Sequence, residues 1–367
     1  MQPTSIEVSD REERAVGEAL DPNEETEAEL RRHWRTMVDL GRSLPGSVLA
    51  EIGASLEAAP WPEDLRGTPV IIDTDLGGDG DDALAVTAAA RCLPNLAAVI
   101  TGDEIHGGER ARFARHLLDL LGRADVVTAA GADLGNTRYF VVEDLVPDAV
   151  PTQRADVVDV VREVCASTDG PVRWVGMAPL TNLARIVAED PTTAARLRVT
   201  QMGGALRYRH KDRAEHNVRL DVPAMHAVFA AVADGRLVQP EFVASEVTFD
   251  PRIEVTRDSA IYRSLAADDA PAWARLLTAH LDRWFERFHP GTLQHDALTL
   301  TAALNLPFVD SDVLPVMLDA MGRTTVDESS GVLLRWSLSA THEPFMSWLS
   351  TALDPTSSPV LLETVSA

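Results

Sequence analysis

The chain has 367 residues, 45% of them hydrophobic and 25% charged, which is the composition of a globular protein with one large domain or two ordinary ones. Its 57 acidic and 33 basic residues give a formal net charge of −24, which argues against nucleic acid as the main partner and against a basic membrane-surface face. No apolar run approaches the roughly 18–20 residues that span a bilayer, and the N-terminal MQPTSIEVSDREERAVGEAL lacks a basic region followed by an apolar core, so no secretory signal is expected.

Residues 1–65 hold 15 acidic and 6 basic residues, a much denser negative charge than the remainder carries. The first twenty are charged and short of large apolar groups, and are expected to be disordered. A helix is predicted from Asp21, with Asp21 as cap, Pro22 in the first turn, and Leu30, Trp34, Met37 and Val38 on one stripe. Ser43 to Gly46 interrupts that pattern. A second helix is expected over 47–56, with Val48, Leu49, Ile52 and Leu56 inward, and Ala59-Pro60-Trp61-Pro62 reads as a linker. Residues 1–65 therefore read as a helical extension, either a packing or dimer-contact arm or a lid, on a main domain of residues 66–367.

From Thr68 the rhythm becomes strand then helix. Strands are predicted over 69–72, 96–101, 126–130, 172–175 and 199–202. Helices are predicted over 83–93, 111–121, 153–166, 183–187 and 223–233. This alternation implies an α/β fold with a mostly parallel central sheet flanked by helices. In such sheets ligands bind at the C-terminal ends of strands. The two cysteines, Cys92 and Cys165, lie in apolar helix-like contexts, which predicts buried thiols in a reduced, cytoplasmic protein.

The segment after the first strand carries the strongest signal. Asp73, Asp75, Asp79, Asp81 and Asp82 fall within ten residues that hold no basic residue. Carboxylates this close repel and raise one another's pKa values. A hard divalent cation removes that penalty, and an oxygen-only donor set selects calcium or magnesium. The interspersed glycines let the backbone turn tightly, and Asp81 and Asp82 begin the next helix, where the macrodipole favours negative charge. Three chemistries share such a loop. A phosphatase of the haloacid dehalogenase type opens with Asp-x-Asp, but uses a later lysine, and Lys211 is the one lysine here. A calcium β-roll fits Gly77 to Ala85 but needs stacked copies. An EF-hand would need a preceding helix in place of the apolar strand.

The third chemistry is carried by motifs along the whole chain. Asp73-Thr74-Asp75 with Asp81-Asp82-Ala83-Leu84-Ala85 resembles the signature of the nucleoside hydrolases, the inosine–uridine-preferring family. Met177-Ala178-Pro179-Leu180-Thr181-Asn182-Leu183-Ala184 is similar to the family's Gly-Pro-Leu-Thr-Asn-Leu-Ala segment. Met202-Gly203-Gly204, Glu215-His216-Asn217 with Asp221, and Gln294-His295-Asp296-Ala297 match further motifs in order, and the likeness covers about residues 68–353. The resemblance implies a Rossmann-like fold, a homodimer or homotetramer, and one Ca2+ at the bottom of a pocket. Its ligands would be the carboxylates of Asp75, Asp82 and Asp296 and the main-chain carbonyl of Met177. The implied reaction is hydrolysis of the N-glycosidic bond of a nucleoside, through an oxocarbenium-like transition state. Calcium would hold the attacking water, Asp75 would act as general base, and His295 would assist departure of the base. Asp81, Met202, Glu215 and Asn217 match ribose-binding positions, with Asp82 also accepting from a ribose hydroxyl. A calcium-dependent nucleoside-binding protein on the same fold is the non-catalytic alternative.

Other residues have local readings. Thr181 is expected to cap the following helix with Asn182 in support, and Gly203 and Gly204 to make a tight turn. Trp273, Trp284, Phe285 and Phe288 are expected in core or interface rather than as a base-stacking platform, with His280 and His289 incidental. Asp103, in Gly102-Asp103-Glu104, replaces an asparagine common in the family and can accept from a sugar hydroxyl but not donate. The run 205–214 is the most basic in the chain. It reads as a solvated loop, or as a contact of Arg207, Arg209 or Lys211 with a modified or phosphorylated 5′ end.

Overall fold

A computed structural model describes residues 27–58, 65, 67–105, 107–210, 212–358 and 361–362. The expected disorder of residues 1–20, the Asp21–Pro22 helix start, the linker over 59–62 and Lys211 lie outside the described residues. The chain divides into two compact units, Met1–Asp64 and Leu65–Ala367. The first contains two helices, Glu27–Ser43 and Val48–Ala58, packed on each other.

In the second unit, the described residues form eleven strands, which alternate with helices up to the last three. They are β1 (Val70–Thr74), β2 (Leu96–Thr101), β3 (Val127–Ala130), β4 (Val172–Gly176), β5 (Leu197–Met202), β6 (Glu241–Val243), β7 (Glu254–Thr256), β8 (Gly291–Leu293), β9 (Val309–Leu318), β10 (Thr324–Val326) and β11 (Val332–Ala340). Nine of them form one sheet in the order β10-β9-β11-β6-β5-β4-β1-β2-β3, and β7 with β8 forms a separate antiparallel pair. From β3 across to β11 every neighbouring pair is parallel. The strands β1 to β5 are short and almost continuously apolar, as strands covered on both faces must be.

Two apolar cores lie against the sheet. One contains Leu84, Phe113, Trp273 and Leu298 from helices Asp81–Cys92, Glu109–Leu120, Ala272–Arg287 and His295–Ala303. The other packs Val161, Leu183, Val228 and Trp174 with Phe242 and Trp336, whose rings stack at 5.3 Å. Both cysteines are free and buried, and burial pushes the Cys92 thiol up to about 11. Among the described residues no helix is long and apolar enough to cross a membrane.

The sheet order reverses at β1, whose neighbours are β2 on one side and β4 on the other. A crevice opens at such a switch point, beyond the C-terminal ends of the strands. Two predicted boundaries change. The helix expected over 153–166 begins at Val157, because Arg154 instead bridges to Ala129 in extended backbone. The sheet also continues into the antiparallel β9 and β10, which the strand-then-helix rhythm does not announce.

Candidate active site

The crevice holds a cavity of about 540 Å³. Every predicted site residue lines it: Asp75, Asp81 and Asp82 after β1, Asp103 after β2, Met177 after β4, Met202 at the end of β5, Glu215 and Asn217 beyond it, and His295 and Asp296 after β8.

The floor is built around the aspartate loop. Gly77 turns the chain at a φ of +103°, and a Cβ there would lie 2.9 Å from the Val142 side chain, so glycine alone serves. The loop is tied down by local bonds. The Thr74 hydroxyl donates to Asp82 Oδ1, and the Asp75 amide donates to the same oxygen at 3.2 Å. Carboxylate oxygens of Asp81, Asp82 and Asp296 come within 4.8 Å of one another, and all three side chains are buried. This trio includes Asp81, expected only as a hydroxyl acceptor. Asp75 is half-buried at its edge.

Burial raises the pKa of Asp81, Asp82 and Asp296 well above the carboxylate range, and the neighbouring aspartates raise it further. Burial also pushes Asp79 up to about 7 and Asp73 up to about 8, the latter against the lowering effect of Asn182 Nδ2, which donates to Asp73 Oδ1 at 2.8 Å. Among the described residues no cation forms an ion pair with the trio, and Arg110 only partly offsets the shift of Asp82. The donors are all oxygens, converge from two segments over 200 residues apart, and are burdened by their own charge. That chemistry fits a hard dication.

The nearest positive charge serves the backbone. Arg110 is fully buried, and its Nε donates to the Asp103 carbonyl at 2.7 Å. Its Nη1 donates to the Leu76 carbonyl at 2.9 Å and to the Asp75 carbonyl. Arg110 also lies 3.6 Å from the Asp103 carboxylate. Asp103 takes a left-handed φ of 45°, which aspartate tolerates better than most residues, and it accepts from Asn136 Nδ2 at 2.8 Å. Burial pushes its carboxyl up to about 6 although Arg110 opposes this. Neither Arg110 nor Asn136 carries a sequence signal of its role.

Across the floor, Asn217 Nδ2 donates to the Met177 carbonyl at 2.8 Å. Glu215 caps the short helix His216–Leu220, accepting from the amides of Asn217 and Val218, and also takes the Gly204 amide. Gly203 and Gly204 form the expected turn at positive φ.

The far wall carries His295, half-buried, with Nδ1 2.7 Å from Thr248 Oγ1. Burial, with Arg209 and His216 adding to it, pushes its pKa down to about 3. The imidazole is therefore neutral at physiological pH, and the ordinary value near 6.5 does not describe it. Arg209 lies over the Phe249 ring at 3.2 Å, beside His295.

Three local readings are corrected. Thr181 does not cap its helix; its hydroxyl donates to Asp221 Oδ2 at 2.6 Å, and Asp221 caps the helix Val222–Ala233. Asn182 leaves the turn to tie three strands together, donating to Asp73 and to the Thr101 carbonyl and accepting from the Ala132 amide. Trp273 and Phe285 are core residues as expected, and His289 lines the cavity; Trp284, itself in the core, and Phe288 line it too. With Tyr139 they form an aromatic wall whose ring centroids are 5.0–6.0 Å apart. His280 is buried, with Nε2 3.0 Å from the Gly78 carbonyl.

Comparison with known proteins adds an independent line. Residues 70–350 match the family described as inosine-uridine preferring nucleoside hydrolase. The pyrimidine-specific ribonucleoside hydrolase RihA of Shewanella sp. (strain ANA-3) is 27% identical over 285 residues, covering 71% of this chain and 86% of that protein. Among solved structures, a plant nucleoside hydrolase superposes with a TM-score of 0.63 at 22% identity, covering 78% of this chain and 99% of the other. A purine-preferring ribonucleoside hydrolase from Gardnerella vaginalis gives 0.63 at 19% identity, covering 78% and 98%.

Proposed function

The chain belongs to the inosine-uridine preferring nucleoside hydrolase family, and from that premise we propose that it is a calcium-dependent N-ribohydrolase, which splits a ribonucleoside into ribose and free base. What supports the reading is one observation: nine residues from widely separated segments, matched singly by motif, line one cavity together with Asp103 and include a buried trio of carboxyls.

Asp75, Asp82, Asp296 and the Met177 carbonyl would hold the ion, with Asp81 close enough to join them. When bound, the ion supplies the positive charge that keeps these carboxylates ionised, and it orients and acidifies a water. Asp75 takes the proton of the attacking water through its carboxylate, which the half-buried strand end leaves accessible. The ionised floor also stabilises the positive charge that develops on the sugar ring as the glycosidic bond lengthens. Asp103, Glu215 and Asn217 orient the ribose through its hydroxyls. Asn217 is held in place by its bond to the Met177 carbonyl.

His295 acts as a neutral group. In this reading the Thr248 hydroxyl, 2.7 Å from Nδ1, is the donor, which places the ring hydrogen on Nε2, offered to the departing base. A neutral imidazole is a weaker acid than an imidazolium, so its contribution is a hydrogen bond that strengthens as negative charge builds on the base. The aromatic wall of Tyr139, Trp284 and Phe288 offers π faces and excludes water.

The reading includes a cytoplasmic homodimer or homotetramer with residues 66–367 as the catalytic domain. A reducing-sugar assay across purine and pyrimidine ribonucleosides in calcium tests the activity, with pyrimidines first because the Shewanella relative is named for them. Release of ribose that is lost in Asp75→Asn and Asp296→Asn is the expected result. Tight nucleoside binding with no ribose released from any nucleoside or nucleotide would overturn hydrolysis in favour of binding alone.

A further inference from the structure

The cavity is acidic at its floor and basic along its wall. Arg138, Arg209, Arg213 and Arg219 all line it. Elsewhere in this acidic chain arginines sit on carboxylates: Arg154 on Asp156 and Glu163, Arg162 on Asp159 and Asp190, Arg185 on Glu189, and Arg257 on Asp282. Among the described residues none of these four has a carboxylate within ion-pairing distance, unlike the fifth lining arginine, Arg110, which lies 3.6 Å from Asp103.

Two of the four are linked through a pair of rings. The Arg138 guanidinium lies 4.9 Å over the Tyr139 ring. The Tyr139 and His216 ring centroids are 6.0 Å apart, and Arg219 Nη2 is 3.1 Å from His216 Nδ1. Arg138, His216 and Arg219 thus form one continuous band, drawn from the loop after β3 and from the helix His216–Leu220. That short helix also carries Asn217 and is capped by Glu215, the residues read above as holding the ribose. The band therefore borders the residues read above as holding the ribose, and its His216 also lies near enough to act on His295, beside which Arg209 stands.

We propose that this band receives an anionic group on the sugar, so that the substrate is a nucleoside phosphorylated on its ribose rather than a neutral nucleoside. The proposal rests on the ribohydrolase reading for the orientation of the sugar. A guanidinium presents a planar fork of N–H donors that matches phosphate oxygens in pairs. Arg138 and Arg219 are both exposed with no carboxylate partner among the described residues; Arg219 spends donors on the Ala214 carbonyl at 3.5 Å and on His216 at 3.1 Å, which leaves its remaining N–H groups and the Arg138 fork for an anion. The acidic floor repels a phosphate, and the basic band attracts it. The two ends together fix the direction of entry, with sugar hydroxyls down and phosphate at the rim. The net charge of −24 does not oppose this, because surface charge is screened beyond about 8–10 Å at physiological salt while contact pairs are not.

The test measures binding before turnover. The full chain in calcium is titrated calorimetrically with ribose and with ribose 5-phosphate, and the titration is repeated on the R138Q/R219Q double variant, whose melting temperature shows that it is folded. Wild type is expected to favour ribose 5-phosphate by about tenfold or more, and the double variant to bring that ratio toward one. A wild-type ratio at or below one, or a ratio that survives in the double variant, overturns the proposal. Values of kcat/KM for uridine, uridine 5′-phosphate and orotidine then locate the anion. Preference for uridine 5′-phosphate supports the proposal. Preference for uridine overturns it, and preference for orotidine moves the anion to the base and overturns the sugar assignment. If nothing is hydrolysed yet ribose 5-phosphate binds through the two arginines, the hydrolase reading fails and this one stands.

Discussion

Stripping divalent cations from the protein is expected to destabilise it much more at pH 8 than at pH 5. The carboxylate oxygens of Asp81, Asp82 and Asp296 lie within 4.8 Å of one another. At an effective dielectric constant of about 20, each ionised pair at that distance costs about 3.5 kcal/mol. Three such pairs approach the ~5–15 kcal/mol that hold a whole domain together. Without a cation the cluster must keep protons, which is what the upward shifts of all three carboxyls express. Asp79 at about 7 and Asp73 at about 8 behave alike. An unfolded aspartate titrates near 3.9, so between about pH 4 and these raised values the native state binds more protons than the unfolded chain. Stability of the cation-free protein therefore falls as pH rises through that window. Binding of a dication releases those protons, so its stabilising effect grows over the same range. At a hundredfold excess over its Kd it contributes about 2.7 kcal/mol, or roughly 4 °C for a folded unit of about 300 residues. The assay is thermal unfolding at pH 5, 6, 7 and 8, after chelating resin and dialysis, with and without calcium and with magnesium as comparison. A calcium-dependent shift that is equal at pH 5 and pH 8, or larger at pH 5, refutes the charge argument. Absence of any shift refutes the cation site.

His295→Ala should lower kcat on a nucleoside by about 10²–10⁴-fold, yet spare 4-nitrophenyl riboside to within roughly tenfold, because nitrophenolate leaves without a proton. Equal losses on both substrates would remove His295 from leaving-group assistance. Asp75→Asn should lower kcat on both substrates by about 10²–10⁴-fold, and a loss confined to the nucleoside would contradict its role as base toward water. Gly204→Ala places a Cβ 2.5 Å from the Trp336 ring at a φ of +73°, and should cost about 2 kcal/mol or more in urea unfolding; a change under about 0.5 kcal/mol would mean that β11 yields there. Asn182→Ala leaves Asp73 without its donor and should cost about 1–3 kcal/mol, read by the same unfolding, with an unchanged midpoint counting against the strand-tying role.

The features that were legible in the chain are those written in short windows. The apolar runs at β1, β2, β4 and β5 announce strands because a strand covered on both faces must be apolar throughout. The aspartate loop announces a cation because five carboxyls in ten residues have no cheaper neutraliser. Ten of the lining residues were also recoverable one at a time, nine of them within their own motifs at strand or helix ends, whereas Arg110, Asn136 and Tyr139 were not.

What the windows do not contain is the identity of distant partners. A threonine before a helix reads as a cap, but the Thr181 hydroxyl meets Asp221 forty residues away. A histidine reads as a group near pH 6.5, but the apolar wall and Arg209 remove its proton. An arginine opening a helix reads as solvated, but Arg110 turns inward to hold the backbone of the aspartate loop. The separation of an acidic floor from a basic rim is likewise invisible in a net charge, which sums over position. The sequence by itself determined the alternation of strands and helices through the parallel half of the sheet, and it supplied the cation-type reading and the candidate residues, because these follow from composition and spacing along the chain. Only the tertiary structure decided which carboxyls lie close enough to share an ion, which side chains are driven to keep their protons, and which arginines face the cavity without a carboxylate partner among the described residues, because hydrogen bonds, desolvation and Coulomb energy depend on distances in space that the linear order does not specify.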